Sequence, residues 1–245
     1  MVFSLRAIFA FTKRFPGRYQ WIPVRNCNLV SCTQNINTAK QQECQNPVTV
    51  SSGTRQSPID INTANCVYNP QLKPLKISYD PNNCLRLRNN GYFFQVDFED
   101  SKDSSVISSG PLKNHYRLKQ FHFHWGSKSD RGSEHTVNNQ VYPAELHLVH
   151  WNPVKCNNSD EAILSEDGLA VIGVFLKLGK RHDRLQKLVD ALPAVKHKLA
   201  TFRSLFYTST GEKQKNMVDN YRPVQPLLKR TVYSTTSPFQ NSVSQ

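Results

Sequence analysis

The sequence predicts a mainly β, α+β chain folded as one domain around a sheet, and three observations carry that prediction. Polar and apolar residues alternate along Gln120–Trp125 and again along Ala144–Trp151, the period of strands with two unlike faces. Two further alternating runs flank an Asn89-Asn90-Gly91 turn, a strong hairpin signal. Leu169–Leu178 is apolar on both faces, as a central strand is. No linker separates these motifs within the 245 residues, so one large domain is expected rather than two small ones.

Taken in order, residues 1–42 contain Arg6, Lys13, Arg14, Arg18, Arg25 and Lys40 and no acid; the first is Glu43. A basic, acid-free leader with scattered Phe, Leu, Ile and Trp fits a disordered mitochondrial transit peptide, and the uncharged run between Arg6 and Lys13 is short for a secretory core. A nucleic-acid-binding arm is the other use of such a segment, but Pro16, Gly17 and Pro23 interrupt any helix there. Without the leader the net charge falls from +13 to +7, 25 basic against 18 acidic residues. With no recognised nucleic-acid motif, that residue of charge reads as a solvated face. The longest apolar run, Leu169–Leu176, is too short to cross a bilayer and ends at Lys177. Cysteines 27, 32, 44, 66, 84 and 156 form no Cys-x-x-Cys pair, and in a reducing matrix they are expected as free thiols.

Residues 43–233 form the expected domain. Pro47–Asp80 alternates short β-compatible pieces with turns and reads as loop and edge strand. Leu85, Leu87, Phe93, Gln95 and Asp97 alternate about the hairpin turn, which Tyr92 leaves. Tyr116–Trp125 and Ala144–Trp151 follow as strands, then Leu169–Leu178. Arg184, Leu185, Leu188, Val189 and Leu192 make a helical stripe with Asp183 as cap and Pro193 as stop. Residues 234–245 are polar and read as a frayed tail.

The chemistry concentrates between 119 and 151. On one strand face Gln120, His122 and His124 lie in line; on another, Glu145, His147 and Val149. Three histidines with one position left for water is the ligand count of a catalytic zinc site, where a closed structural site takes four protein ligands. Gln120 and Glu145, each two residues before a candidate ligand, are placed to hold the second nitrogen of a ligating ring. His115, His150, His182 and His197 lack such a setting and read as ordinary buried or surface histidines.

The motifs FHFHWG, GSEHTV and AELHLVHWN, with RQSPIDI at 55–61, DGLAVIGVFLKLG at 167–179 and MVDNYRPVQPL at 217–227, closely resemble the alpha-class carbonic anhydrases. Tyr92 and the run at 177–198 are most similar to the mitochondrial branch. The resemblance implies a large, mostly antiparallel central sheet with a few peripheral helices. It also implies zinc on His122, His124 and His147, carbon dioxide and bicarbonate as substrates, and residence in the mitochondrial matrix. Zinc on three neutral imidazoles lowers the pKa of a bound water from 15.7 to about 7, which supplies the nucleophile. Val149 and Val171 match the family's apolar pocket, and Tyr92 stands where fast members carry a proton-shuttling histidine. A phenol titrating near ~10 is a poor shuttle at neutral pH; packing against Phe93 or Phe94 is the simpler role for Tyr92. In the family Glu134 orients a threonine beside the metal, His135 is structural, and the backbone at Asn220 braces the ring of His124.

The resemblance breaks after Lys198. Relatives continue through several strands, including a Leu-Thr-Thr-Pro-Pro motif and a downstream Val and Trp that complete the pocket. This chain passes through Leu199-Ala200-Thr201 directly into a segment that belongs near the family's C-terminus. The sheet is therefore expected to be incomplete relative to the family, with backbone donors uncovered. Two functions follow: a zinc-dependent carbonate dehydratase impaired by the missing segment, or a zinc-binding, catalytically silent relative that acts through protein contacts.

Overall fold

Two strands joined through Phe-rich and Leu-rich alternation form the middle of the molecule, β8 (Tyr116–Trp125) and β10 (Ala144–Trp151). They run antiparallel, with His147 opposite His122 and Glu145 opposite His124. A computed structural model describes residues 7–11, 55–89, 93–180, 182, 185, 186, 188 and 216–236. Within these residues, eight strands form one sheet. Its main path starts with β1 (Ala7–Phe11) and β11 (Leu169–Leu176), crosses β10 and β8, and ends with β6 (Phe94–Phe98) and β5 (Cys84–Asn89). β7 (Val106–Ser109) joins the other part of β8 and carries β4 (Leu75–Ser78). Every pairing in this sheet is antiparallel.

The expected hairpin is present as β5 and β6, with Asn89 opposite Phe94; Tyr92 and the rest of its turn lie outside the described residues. β11 is hydrogen-bonded on both sides, the central-strand position its sequence predicts, and residues of both of its faces are buried. The apolar face of the sheet buries Phe94, Val96, Phe123, Trp125, Ile172 and Val174. Phe121 and Phe123 meet edge to face at 6.0 Å, an arrangement that adds to the burial itself.

Three elements differ from expectation. Ala7–Phe11, inside the segment read as a disordered leader, is a strand beside β11; its five residues pair with an edge of β11 that no other described strand takes. Tyr233–Ser234 (β12) pairs in parallel with β3 (Val67–Tyr68), so the polar tail begins later than residue 234. A helix not anticipated from the sequence, α1 (Ser159–Leu164), starts where Asn158 accepts from the Glu161 amide while Glu161 accepts from Asn157, a reciprocal cap. Of the anticipated helix, Leu185, Gln186 and Leu188 are helical, and the His182 side chain accepts from the Leu185 amide. Asp183, the cap expected from the sequence, lies outside the described residues. Leu185 and Leu188 pack against the core. Cys66, Cys84 and Cys156 are free thiols.

His150 illustrates a buried histidine with a purely structural role. It is 0 % exposed, just past a bulge in the β10–β8 pairing. Its Nδ1 lies 3.1 Å from the Ala170 carbonyl, which can only accept, so Nδ1 carries the proton. Nε2 then accepts from the Tyr79 hydroxyl at 2.8 Å. Burial pushes the imidazole down to about 4 from 6.5 and pushes the Tyr79 phenol up. Because the unfolded chain takes up this proton before the folded one, stability contributed by His150 is present at neutral pH and is lost as pH falls from about 6.5 towards 4. Between pH 7 and pH 5 the loss amounts to about 2 kcal/mol. Urea unfolding at both values, for the parent and a His150→Gln variant, is expected to show a shallower pH dependence in the variant by that amount. Parallel pH profiles would refute it.

Candidate metal centre

The register of β8 and β10 places His122, His124 and His147 on one face, and all three are buried. Each ring is held by its distal nitrogen. His122 Nδ1 lies 2.9 Å from Gln120 Oε1, His124 Nδ1 lies 2.7 Å from the Asn220 carbonyl, and His147 Nε2 lies 2.7 Å from Glu145 Oε1. A carbonyl and a carboxylate accept only, so these nitrogens donate. The other ring nitrogens are His122 Nε2, His124 Nε2 and His147 Nδ1. The two Nε2 atoms approach to 3.1 Å. Nitrogens this close could share one small cation, and imidazole nitrogens are ordinary zinc ligands. Potential ligand atoms of all three residues lie within 4.8 Å of one another.

The electrostatics fit a divalent cation. Burial, the largest influence, holds His124 at about 4 against the pull of the Glu134 carboxylate, so the ring is neutral at pH 7, the form that binds metal. Glu134 and Glu145 are 5 % and 1 % exposed. Glu134 Oε2 stands 3.5 Å from His124 Nε2 and 3.9 Å from His147 Nδ1. Two buried carboxyl groups beside the neutral His124 ring suit a divalent ion, which would offset their charge.

Glu145 is the keystone of this arrangement. Its Oε2 accepts from the amides of Glu134 and His135, each at 2.8 Å, and its Oε1 accepts from His135 Nδ1 at 2.8 Å and from His147. Burial alone would raise its pKa, but His147 and His135 outweigh that and hold it well below the usual carboxylate range. A second group of donors, His135, Glu145 and His147, lies equally close together, but these atoms already satisfy one another. Glu145→Ala is expected to cost about 3–5 kcal/mol of stability, since it strands four buried donors. Glu145→Gln is expected to weaken zinc binding by about 10- to 100-fold, measured by competition with a chelator. Unchanged affinity in Glu145→Gln would show that His147 needs no such acceptor.

The loop carrying Glu134 is set by Gly132, whose positive φ of 148° and close approach to the Pro143 carbonyl and the Gly126 amide exclude a side chain. Beyond it, Ser133 bonds to the Tyr142 backbone and to the His135 carbonyl. β9 (Thr136–Val137) pairs with β2 (Asp60–Ile61).

Residues 217–225 close the site from the other side. The Trp125 indole donates to the Met217 carbonyl and the Trp125 amide to Asn220 Oδ1, both at 2.7 Å. The Arg222 amide donates to Glu134 Oε1 at 2.8 Å, and Gln225 N to the Pro58 carbonyl. Despite the break after Lys198, this segment reaches the metal face.

Val149 lies opposite Val171, two residues along from the His147–Gly173 pair, so both half-buried valines share the metal-bearing face. Tyr92 lies outside the described residues. His115 is not part of the site; it faces Asp103 at 3.1 Å on the surface. Two neighbours were not singled out from the sequence. Phe93 stacks on His122 with ring centroids 4.3 Å apart, and Gln95, opposite His122 in the register, is buried and donates to Asp97. The alternation of Phe93, Gln95 and Asp97 was the available signal, since the facing register puts Gln95 in the histidine row.

Comparison with known proteins gives the same face a context. A sequence profile described as eukaryotic-type carbonic anhydrase matches residues 39–198, ending where the sequence departs from the expected pattern. Mitochondrial carbonic anhydrase 5B of Rattus norvegicus is 48% identical, covering 87% of this chain and 84% of its own length. The 5B protein of Homo sapiens is 46% identical, covering 95% of this chain and 92% of its own. That alignment spans 293 positions, more than the 245 residues here, the excess being residues of the relative with no counterpart. Mitochondrial carbonic anhydrase 5A of Homo sapiens is 46% identical over 87% of each chain.

Proposed function

The chain belongs to the eukaryotic-type carbonic anhydrases, and from that premise we propose that it is a zinc-dependent carbonate dehydratase, slowed by its shortened sequence, that works in the mitochondrial matrix. The observation that carries the reading is the gathering of His122, His124 and His147 with ligand atoms within 4.8 Å of one another, each ring held from behind by Gln120, the Asn220 carbonyl or Glu145. Zinc bound there supplies a Lewis acid that generates a nucleophile from water near neutral pH.

The chain's own residues supply the rest. Gln120, Asn220 and Glu145 fix the tautomers of the three rings and so aim the lone pairs at one point. Val149 and Val171 offer apolar surface beside that point, suited to carbon dioxide, which has no net dipole. Glu134, fixed through Oε1 by the Arg222 amide, holds negative charge next to the reaction face. Tyr92 would carry the released proton outward, slowly, since a phenol, ordinarily titrating near ~10, is a poor shuttle at neutral pH. The basic, acid-free residues 1–42 and the mitochondrial names of the relatives support matrix targeting. Among the described residues no helix is long and apolar enough to cross a membrane.

The internal shortening favours a second reading, a zinc-binding but catalytically silent relative acting through protein contacts. Zinc content and carbon dioxide hydration, measured on one preparation, separate the two. Stoichiometric zinc with hydration above the buffer rate supports the enzyme; stoichiometric zinc without hydration selects the silent protein. Residues 1–42 fused to a fluorescent reporter are expected to deliver it to mitochondria, and a diffuse cytosolic signal would count against the address.

A further inference from the structure

The edge of β11 is the place where the shortened sheet meets the N-terminal segment. β11 is eight residues long and buries Ala170, Ile172, Val174, Phe175 and Leu176. β10 pairs with it along its whole length, which leaves one edge. A long apolar edge with a row of unpaired amides and carbonyls is a template for adventitious pairing. Here Ala7–Phe11 fills it, antiparallel, with Ala7 opposite Val174, Ile8 opposite Gly173, Phe9 opposite Ile172, Ala10 opposite Val171 and Phe11 opposite Ala170.

The sequence suits the position. AIFAF is an uninterrupted apolar run bounded by Arg6 on one side and Thr12-Lys13 on the other, a short strand with charged flanks that limit further growth of the sheet. The register adds a functional relation. Directly opposed residues of an antiparallel pair share a face, so position 8 continues the row His122, His147, Gly173, and position 10 continues the row Gln120, Val149, Val171. The added strand extends the metal-bearing face by one column, on the side where Val149 and Val171 lie.

We infer that Ala7–Phe11 is the covering edge strand of the folded domain, so the basic N-terminal segment is a structural part of the chain and not only an address. The consequence is a competition. While these five residues are paired with β11 they are withheld from any receptor that reads the leader in another conformation, and removal of the leader opens the β11 edge beside the metal face. The inference stands on the strand pairing alone; its failure would leave the zinc reading and the targeting reading untouched.

Hydrogen exchange of the full-length chain, resolved for residues 169–176, tests it. The variant is Ile8→Pro with Phe9→Pro. Successive strand amides point to opposite sides, so one of the two prolines removes a donor facing β11 whatever the phase of the ladder. The expected result is at least a ten-fold acceleration at the alternate β11 amides that face β1. Amides of β5 and β6, at the far end of the sheet, are expected to keep the parent's rates. A parallel double variant outside the strand, Asn35→Pro with Ile36→Pro, is expected to leave β11 unchanged. Identical β11 exchange in the parent and in Ile8→Pro/Phe9→Pro overturns the inference, as does acceleration spread equally over β5, β6 and β11.

Discussion

Replacing His122 with alanine is expected to lower zinc affinity by more than about a hundred-fold, beyond the loss that follows when only an outer acceptor of a ligating histidine is removed. The ring contributes one of three lone pairs, and the sequence brings no replacement to its position: Gln95 opposite it is committed to Asp97, and Phe93 stacks on its face. Loss of the ring also leaves Gln120 Oε1 without the Nδ1 donor it holds at 2.9 Å. The measurement is competition against a chromophoric chelator, with zinc content after dialysis as a second reading. His115→Ala is the control, because His115 sits on the surface beside Asp103 and its loss is expected to leave affinity unchanged. A His122→Ala chain that retains zinc as tightly as the parent would remove His122 from the metal centre.

Much of this centre can be read in the sequence because a strand's period is two. Once Gln120, His122 and His124 alternate with aromatics, and Glu145 precedes His147 by two, the acceptors necessarily lie on the same face as the ligands. What the period does not give is the pairing between strands. That His147 faces His122 while Glu145 faces His124 depends on register, which the core side of Phe121, Phe123, Leu146 and Leu148 selects. Asn220, more than ninety residues from His124, came only through family resemblance, since a backbone carbonyl leaves no trace in composition. Residues 7–11 went the other way. Their surroundings are basic and acid-free, and charge composition outweighed a five-residue apolar run that becomes a strand only because β11 offers it an edge. α1 was legible in Asn158-Ser159-Asp160-Glu161, a reciprocal cap that follows a turn and is easily passed over in a six-residue helix. Tyr92 and Thr201 lie outside the described residues.

Loaded with zinc, the chain is expected to hydrate carbon dioxide at least about a hundred-fold more slowly than the same chain with the missing strands restored. Generating the nucleophile requires a metal on three imidazoles, and the imidazoles that would hold it lie together here. Attack requires more. The nucleophile must point at the substrate carbon, and in relatives that alignment comes from a threonine held by the residue matching Glu134. The motif that carries it does not occur after Lys198. Glu134 remains anchored by the Arg222 amide, with Oε2 between His124 and His147, so its charge is kept while the hydroxyl it would orient is not. Thr201 follows the break by three residues, a short tether from which to reach the metal face. On the substrate side, Val149 and Val171, the proposed pocket valines, share the metal-bearing face, but the sequence after Lys198 has no counterpart of the family's downstream Val and Trp, so water is expected to compete more freely with an apolar gas. Lost orientation of this kind costs on the order of a hundredfold in rate, and a phenol at position 92 does little to speed proton release. Stopped-flow hydration at equal zinc occupancy, with and without the restored segment, reads the difference directly. Equal rates would mean that the three histidines, Glu134 and the two valines suffice.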